Sequence, residues 1–160
     1  MKVSYLLLFF SGLILMACGG KTDSNSEPAP ESMVEDLAVQ ETPAAASDDP
    51  MDNKGIGPIT EVTLGPIDDA MVAEGKAVYE QLCTACHKAD QKFIGPAPKG
   101  IMTRRSPEWI MNMILNPEEM VKSDPIAKDL LVEYNMAPMA NQGLTEEQAR
   151  QILEYFRTLE

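Results

Sequence analysis

The chain has a single histidine, His87, which directly follows Cys86, with Cys83 three positions earlier. Few other features restrict what this chain can fold around as tightly as Cys83-Thr84-Ala85-Cys86-His87. Two thiols at that spacing at the end of a helix can form thioether bonds to the two vinyl groups of one haem, and the adjacent imidazole then ligates the iron from the same side. A zinc site would want a fourth ligand and usually a second cysteine pair, and with Cys18, Cys83 and Cys86 as its only cysteines the chain lacks one. A thioredoxin-like dithiol needs a strand before the motif and a βαβ context, whereas Val78-Tyr79-Glu80-Gln81-Leu82 continues a helical pattern. One covalent haem is the reading that employs all three side chains.

Composition narrows the remaining possibilities. Thirteen Lys and Arg against 25 Asp and Glu leave a formal charge of -12, which argues against nucleic acid as a partner because phosphate binding needs clustered cations. One histidine also removes His/His metal pairs, and with them most zinc enzymes. A length of 160 residues fits one domain of ordinary size.

The N-terminal third does not read as part of the fold. Lys2 supplies a positive start and Tyr5 to Met16 is an apolar run too short for a permanent membrane span, so residues 1–17 are expected to be a signal peptide. Leu15-Met16-Ala17-Cys18-Gly19 resembles a bacterial lipobox, which implies lipidation of Cys18 and a periplasmic location on the inner or outer membrane. That compartment is oxidising and is where c-type haem is attached. Residues 18–65 are expected to be an acidic, flexible linker. They hold five prolines and no aromatic side chain, too little apolar area to offset the entropy of ordering them. As a coil this length reaches on the order of 35–40 Å. Ile56-Gly57-Pro58-Ile59, echoed by Leu64-Gly65-Pro66-Ile67, is expected to be extended and to lie against the domain.

The folded unit, residues 66–160, reads as all-α. Asp68-Asp69 opens one helix, carrying Val72, Val78, Tyr79 and Leu82. Ser106-Pro107 opens a second, with Ile110, Met113 and Ile114, which Asn116-Pro117 interrupts. Asp124-Pro125 repeats the signal ahead of Ala127, Leu130, Leu131 and Tyr134. Thr145-Glu146-Glu147-Gln148 has the form of a capping box, and Ala149, Ile152, Leu153, Phe156 and Leu159 then form one apolar stripe. With so few aromatic residues the core is small, and something else is expected to fill its centre.

From Gly75 to Leu159 the chain resembles a class I c-type cytochrome with one haem. The likeness rests on Gly75 and Tyr79, on Cys83 to His87, on Ile94-Gly95-Pro96, on Met136-Ala137-Pro138-Met139, and on a capped last helix bearing Tyr155 and Phe156. The resemblance implies a small cytochrome fold wrapped around one covalent haem c. It implies that Gly75 and Tyr79 pack against the last helix, and that Pro96 holds His87 through its backbone carbonyl; the other reading of Gly95-Pro96 is a plain turn. Trp109 either hydrogen-bonds a haem propionate, as tryptophans of such helices do in that family, or simply packs; Arg104 and Arg105 either serve a propionate or are solvated.

With one histidine, bis-His ligation within the chain is impossible, so the far side of the iron takes Met, Lys, water or nothing. Met111 and Met113 sit in a helical pattern and read as core. Met136 and Met139 lie in the loop before the last helix, where the family's distal ligand is found, and Met139 is the candidate ligand with Met136 as the runner-up. A His87/Met139 iron has no open position and suits one-electron transfer, between partners such as a quinol-oxidising complex and a terminal oxidase or exported reductase. The alternative is a haem enzyme or gas sensor with an open or displaceable sixth position. Between Lys88 and Arg105 five basic residues face one acid, Asp90, and this stretch reads either as a basic docking face toward an acidic partner or as scattered surface charge.

Overall fold

Each helix begins where a local signal places it, and those starts set the course of the chain. A computed structural model describes residues 49–160; the expected signal peptide, Cys18 and most of the expected linker lie outside the described residues. Helix α1 spans Asp69–Leu82, with the Asp68 carboxylate accepting from the backbone N–H groups of Ala70 and Met71. After a short 3-10 turn at Ile101–Thr103, α2 spans Pro107–Leu115, capped by the Ser106 hydroxyl. α3 spans Pro117–Ser123, α4 spans Pro125–Glu133 under an Asp124 cap, and α5 spans Glu146–Phe156. A reciprocal Thr145/Gln148 capping box starts α5. Asn116-Pro117 does more than interrupt the second helix: it starts α3, because proline at the first helical position has no N–H to leave unsatisfied. The fold is all-α, and among the described residues there is no strand and no helix long and apolar enough to cross a membrane.

The α1/α5 contact frames the core. Gly75 is buried at the crossing, where any Cβ would run into the backbone of Gln151. Beside it, Tyr79 stacks tilted on Tyr155, with ring centroids 5.5 Å apart, and edge-on to Phe156 at 5.7 Å. The apolar stripe of α5 is buried at Ala149, Ile152, Leu153 and Phe156, and each of the three larger side chains contributes about 1.5–3 kcal/mol relative to exposure. The stripe is interrupted by a fully buried carboxylate, Glu154. It is paired with Arg150 at 2.5 Å and Arg157 at 2.6 Å and accepts from the Asp68 backbone N–H at 3.0 Å, so α5 holds the start of α1.

Upstream of α1, residues 53–62 form a strap across α2 and α3, held by side chains and not by a strand ladder. Asn112 donates to the carbonyls of Lys54 and Ile59 and accepts from the Ile59 N–H at 2.9 Å. Glu108 accepts from the Val62 N–H, Asn116 donates to Ile56, and the Met120 sulfur accepts from the Ile56 N–H. Asn53 is fully buried and Ile59 nearly so. The packed chain thus begins upstream of Pro66, the boundary expected from composition. Polar groups of the strap satisfy polar groups of α2, so its low apolar content was a poor guide to whether it packs.

Candidate haem site

The Cys83–His87 motif is formed by the way α1 ends. Cys83 donates its backbone N–H to Tyr79, and the chain then curls so that the N–H groups of Cys86 and His87 both reach the Cys83 carbonyl, at 3.0 and 2.8 Å. The curl brings Cys83, Cys86 and His87 to the wall of one apolar cavity of about 1270 Å³, counting its open mouth. Its walls also include Trp109, Ile110 and Phe156.

His87 is held in one tautomer. Its Nδ1 lies 2.8 Å from the Pro96 carbonyl oxygen, which can only accept, so Nδ1 carries the proton and the lone pair of Nε2 is left for a metal. Gly95 lets this happen: a Cβ there would press on the imidazole, 2.8 Å from Nδ1 and 3.0 Å from Nε2. The Gly95 N–H in turn donates to the Cys86 carbonyl at 2.8 Å, tying the Gly95-Pro96 turn to the motif.

The cavity disfavours charge. Burial, with Cys86 alongside, pushes the Cys83 thiol up to about 11, and burial, with Cys83 and Tyr155 adding to it, pushes the Tyr79 hydroxyl up to about 12. The Tyr79 hydroxyl and the Arg105 Nε are buried with no hydrogen-bond partner among the described residues, and both residues line the cavity. These features fit a haem. Two thiols suit its vinyl groups, a metal-ready imidazole suits its iron, apolar walls suit its macrocycle, and a part-buried guanidinium with an unpartnered Nε suits a propionate.

Trp109 also lines the cavity, but its indole N–H donates to the Asp124 carboxylate at 3.1 Å, so that donor is taken and does not await a propionate. Arg104 donates to the carbonyls of Ala97 and Lys99, both at 3.0 Å, and thereby braces the loop after Pro96. Arg105 lies over the Trp109 ring, 5.2 Å from its centroid. Of the two arginines, only Arg105 brings an unpartnered buried nitrogen to the cavity.

The methionines separate by position. Met139 lines the cavity and packs against the core, whereas Met136 is 62% exposed and away from the cavity wall. The difference originates in how α4 ends. Asn135 and Met136 both take left-handed φ values, 58° and 59°, and the Met136 N–H reaches back to the Leu131 carbonyl at 2.8 Å. That termination turns Met136 outward and sends Ala137-Pro138-Met139 along the cavity. Met113, read as core, also lines the cavity, while Met111 is buried in the core.

The candidate basic face is less bare than its composition suggests. Lys92 pairs with Glu133 at 3.3 Å and sits 4.2 Å from the Tyr134 ring centroid, and Lys88 lies over Phe93 at 5.0 Å. Phe93 and Ile94, each 48% exposed, place apolar surface beside these lysines, and Ile94 also borders the cavity.

Comparison with known proteins agrees with this geometry. The Cytochrome c family model matches residues 72–160. The solved cytochrome c from Rhodothermus marinus is 45% identical, with a TM-score of 0.62, covering 64% of this chain and 89% of that one. An engineered form of that cytochrome, bound to a carbene intermediate, is 44% identical, with a TM-score of 0.59 over 64% of this chain and 89% of its own. Among curated proteins no sequence matches. A family match over more than half of the chain, on a cavity built around Cys83, Cys86 and His87, leads to one conclusion: this chain belongs to the cytochrome c family and carries a single covalent haem c.

Proposed function

We propose that this protein is an exported, lipid-anchored carrier of single electrons whose haem iron is ligated by His87 and Met139, with Cys83 and Cys86 as the thioether attachment points. The observation that carries the reading is the shared cavity wall: a metal-ready imidazole locked by Pro96 and a thioether sulfur delivered by the loop after α4. Bound haem supplies a one-electron iron couple and a conjugated ring through which the charge spreads.

The chain's own residues do the rest. Pro96 keeps the His87 proton on Nδ1, away from the metal side. Ile110, Ile152 and Phe156 exclude water from the cavity, which lowers the reorganisation that accompanies a change of charge. Arg105 offers its guanidinium to a propionate. At the mouth, Ile94 and Phe93 form an apolar contact flanked by Lys88 and Lys92, a surface suited to brief docking with an acidic redox protein.

The anchor and the compartment rest on the sequence: the lipobox-like segment ending at Cys18 and the acidic stretch that follows it. They place the protein on the periplasmic side of the inner or outer membrane of a bacterial envelope. In the respiratory chain its donor would be a quinol-oxidising complex and its acceptor a terminal oxidase or an exported reductase. Mass spectrometry of the membrane-extracted protein tests the anchor, with a lipidated N-terminal Cys18 expected and an unmodified one contradicting it.

The test of function is to reduce the haem-loaded protein and add carbon monoxide. A closed carrier exchanges one electron per haem and leaves the gas unbound. Ready carbon monoxide binding points to the alternative, a haem enzyme or gas sensor with an open or displaceable sixth position.

A further inference from the structure

The strap reaches the haem cavity through one unbroken polar relay. Asn53, fully buried, donates from Nδ2 to Asp124 Oδ2 at 2.7 Å. Asp124, also fully buried, accepts with Oδ1 from the Trp109 indole at 3.1 Å and from the Ala127 N–H at 2.7 Å. Trp109 and Ala127 both line the cavity. The main chain of Asn53 is pinned as well, because Ser106 donates its hydroxyl to the Asn53 carbonyl at 2.5 Å. Its Oδ1 accepts from the Gly55 N–H at 2.7 Å. Nothing in this relay is exposed, and no Lys or Arg forms an ion pair with Asp124 among the described residues. Two donors, the Asn53 amide and the Trp109 indole, thus take one oxygen each of a buried carboxylate. The strap lies outside the stretch that matches the family, which begins at residue 72.

We infer that Asn53 is a positioning residue for the haem: it fixes Asp124, through Asp124 it fixes Trp109 in the cavity wall, and so the strap sets the surroundings of the iron. A buried carboxylate that loses the one donor to Oδ2 is under-satisfied and turns toward water or another donor. In either case the indole loses a fixed acceptor and water gains a route to the cavity wall, which favours the ferric state.

The inference rests on the haem reading, and the experiment separates the two. The chain has one tryptophan, so the haem-loaded ferrous protein gives a single indole N–H resonance, whose hydrogen exchange reports on the Trp109–Asp124 bond alone. In Asn53→Ala, indole exchange is expected to quicken tenfold or more and the midpoint potential to fall, with haem content unchanged. The double variant Asn53→Asp with Asp124→Asn reverses the polarity of the central hydrogen bond while keeping every partner, and should restore slow indole exchange. If Asn53→Ala leaves both exchange and potential as in the wild type, the inference is overturned. Should Asn53→Ala fail to fold, the double variant decides: slow exchange supports the relay and fast exchange overturns it. Absence of covalent haem from the wild type would defeat the haem reading alone, since the exchange comparison still reports the hold of Asn53 on Trp109.

Discussion

Gly75 lies so close to Gln151 that a side chain on α1 at this point would meet the α5 main chain, with a Cβ 2.8 Å from the Ile152 nitrogen and closer still to the Gln151 carbonyl. Main chain cannot move aside as a side-chain tip can. Gly75→Ala should therefore separate the helices on which Tyr79, Tyr155 and Phe156 stack, at a cost of about 1–3 kcal/mol or more. Urea denaturation of the haem-loaded protein checks this, with a lower midpoint at an unchanged slope expected.

Glu154 makes stability depend on acid. Burial by itself would raise its carboxyl, but hydrogen bonds from Arg157, Arg150 and the Asp68 N–H outweigh burial and hold it below the usual carboxylate range. A depressed folded value contributes stability that is fully present above the unfolded value of about 4.3 and is lost as pH falls through the folded value. Glu154→Gln should cost on the order of 3 kcal/mol near neutral pH by leaving two part-buried arginines without their counter-charge. Melting curves between pH 7 and pH 3 should show a steep acid decline in the wild type and a shallower one in the variant.

Gly95→Ala tests the hold on His87. The added methyl group presses on the imidazole face and drives the ring off the Pro96 carbonyl. Attachment through Cys83 and Cys86 does not depend on that contact. The variant is expected to keep its covalent haem while its oxidised spectrum gains high-spin character, and a wild-type spectrum would remove Gly95 from the positioning of His87.

How legible these features were depended on their range along the chain. Helix starts at Asp68, Ser106, Asp124 and Thr145 were readable because a cap acts within three residues of itself. The Cys83–His87 motif was readable for the same reason. Of the strap, the packing of Ile56 to Ile67 against the domain was readable from its apolar spacing, but its bonds were not, because Asn112 reaches Ile59 across 53 positions. The role of Trp109 stayed open between a propionate bond and packing on similar grounds: its indole partner, Asp124, sits 15 positions away and also caps α4. Between Met136 and Met139, the spacing to the last helix favoured Met139 only by resemblance, whereas the left-handed pair Asn135 and Met136 turns one outward and leaves the other on the cavity.

The visible spectrum of the oxidised, haem-loaded protein tests His87/Met139 ligation most directly, compared among the wild type, Met136→Ala and Met139→Ala. The weak red charge-transfer band of a methionine–iron bond should be present in the wild type and in Met136→Ala and absent from Met139→Ala. A band that survives in Met139→Ala, or one that vanishes in Met136→Ala instead, contradicts that ligation.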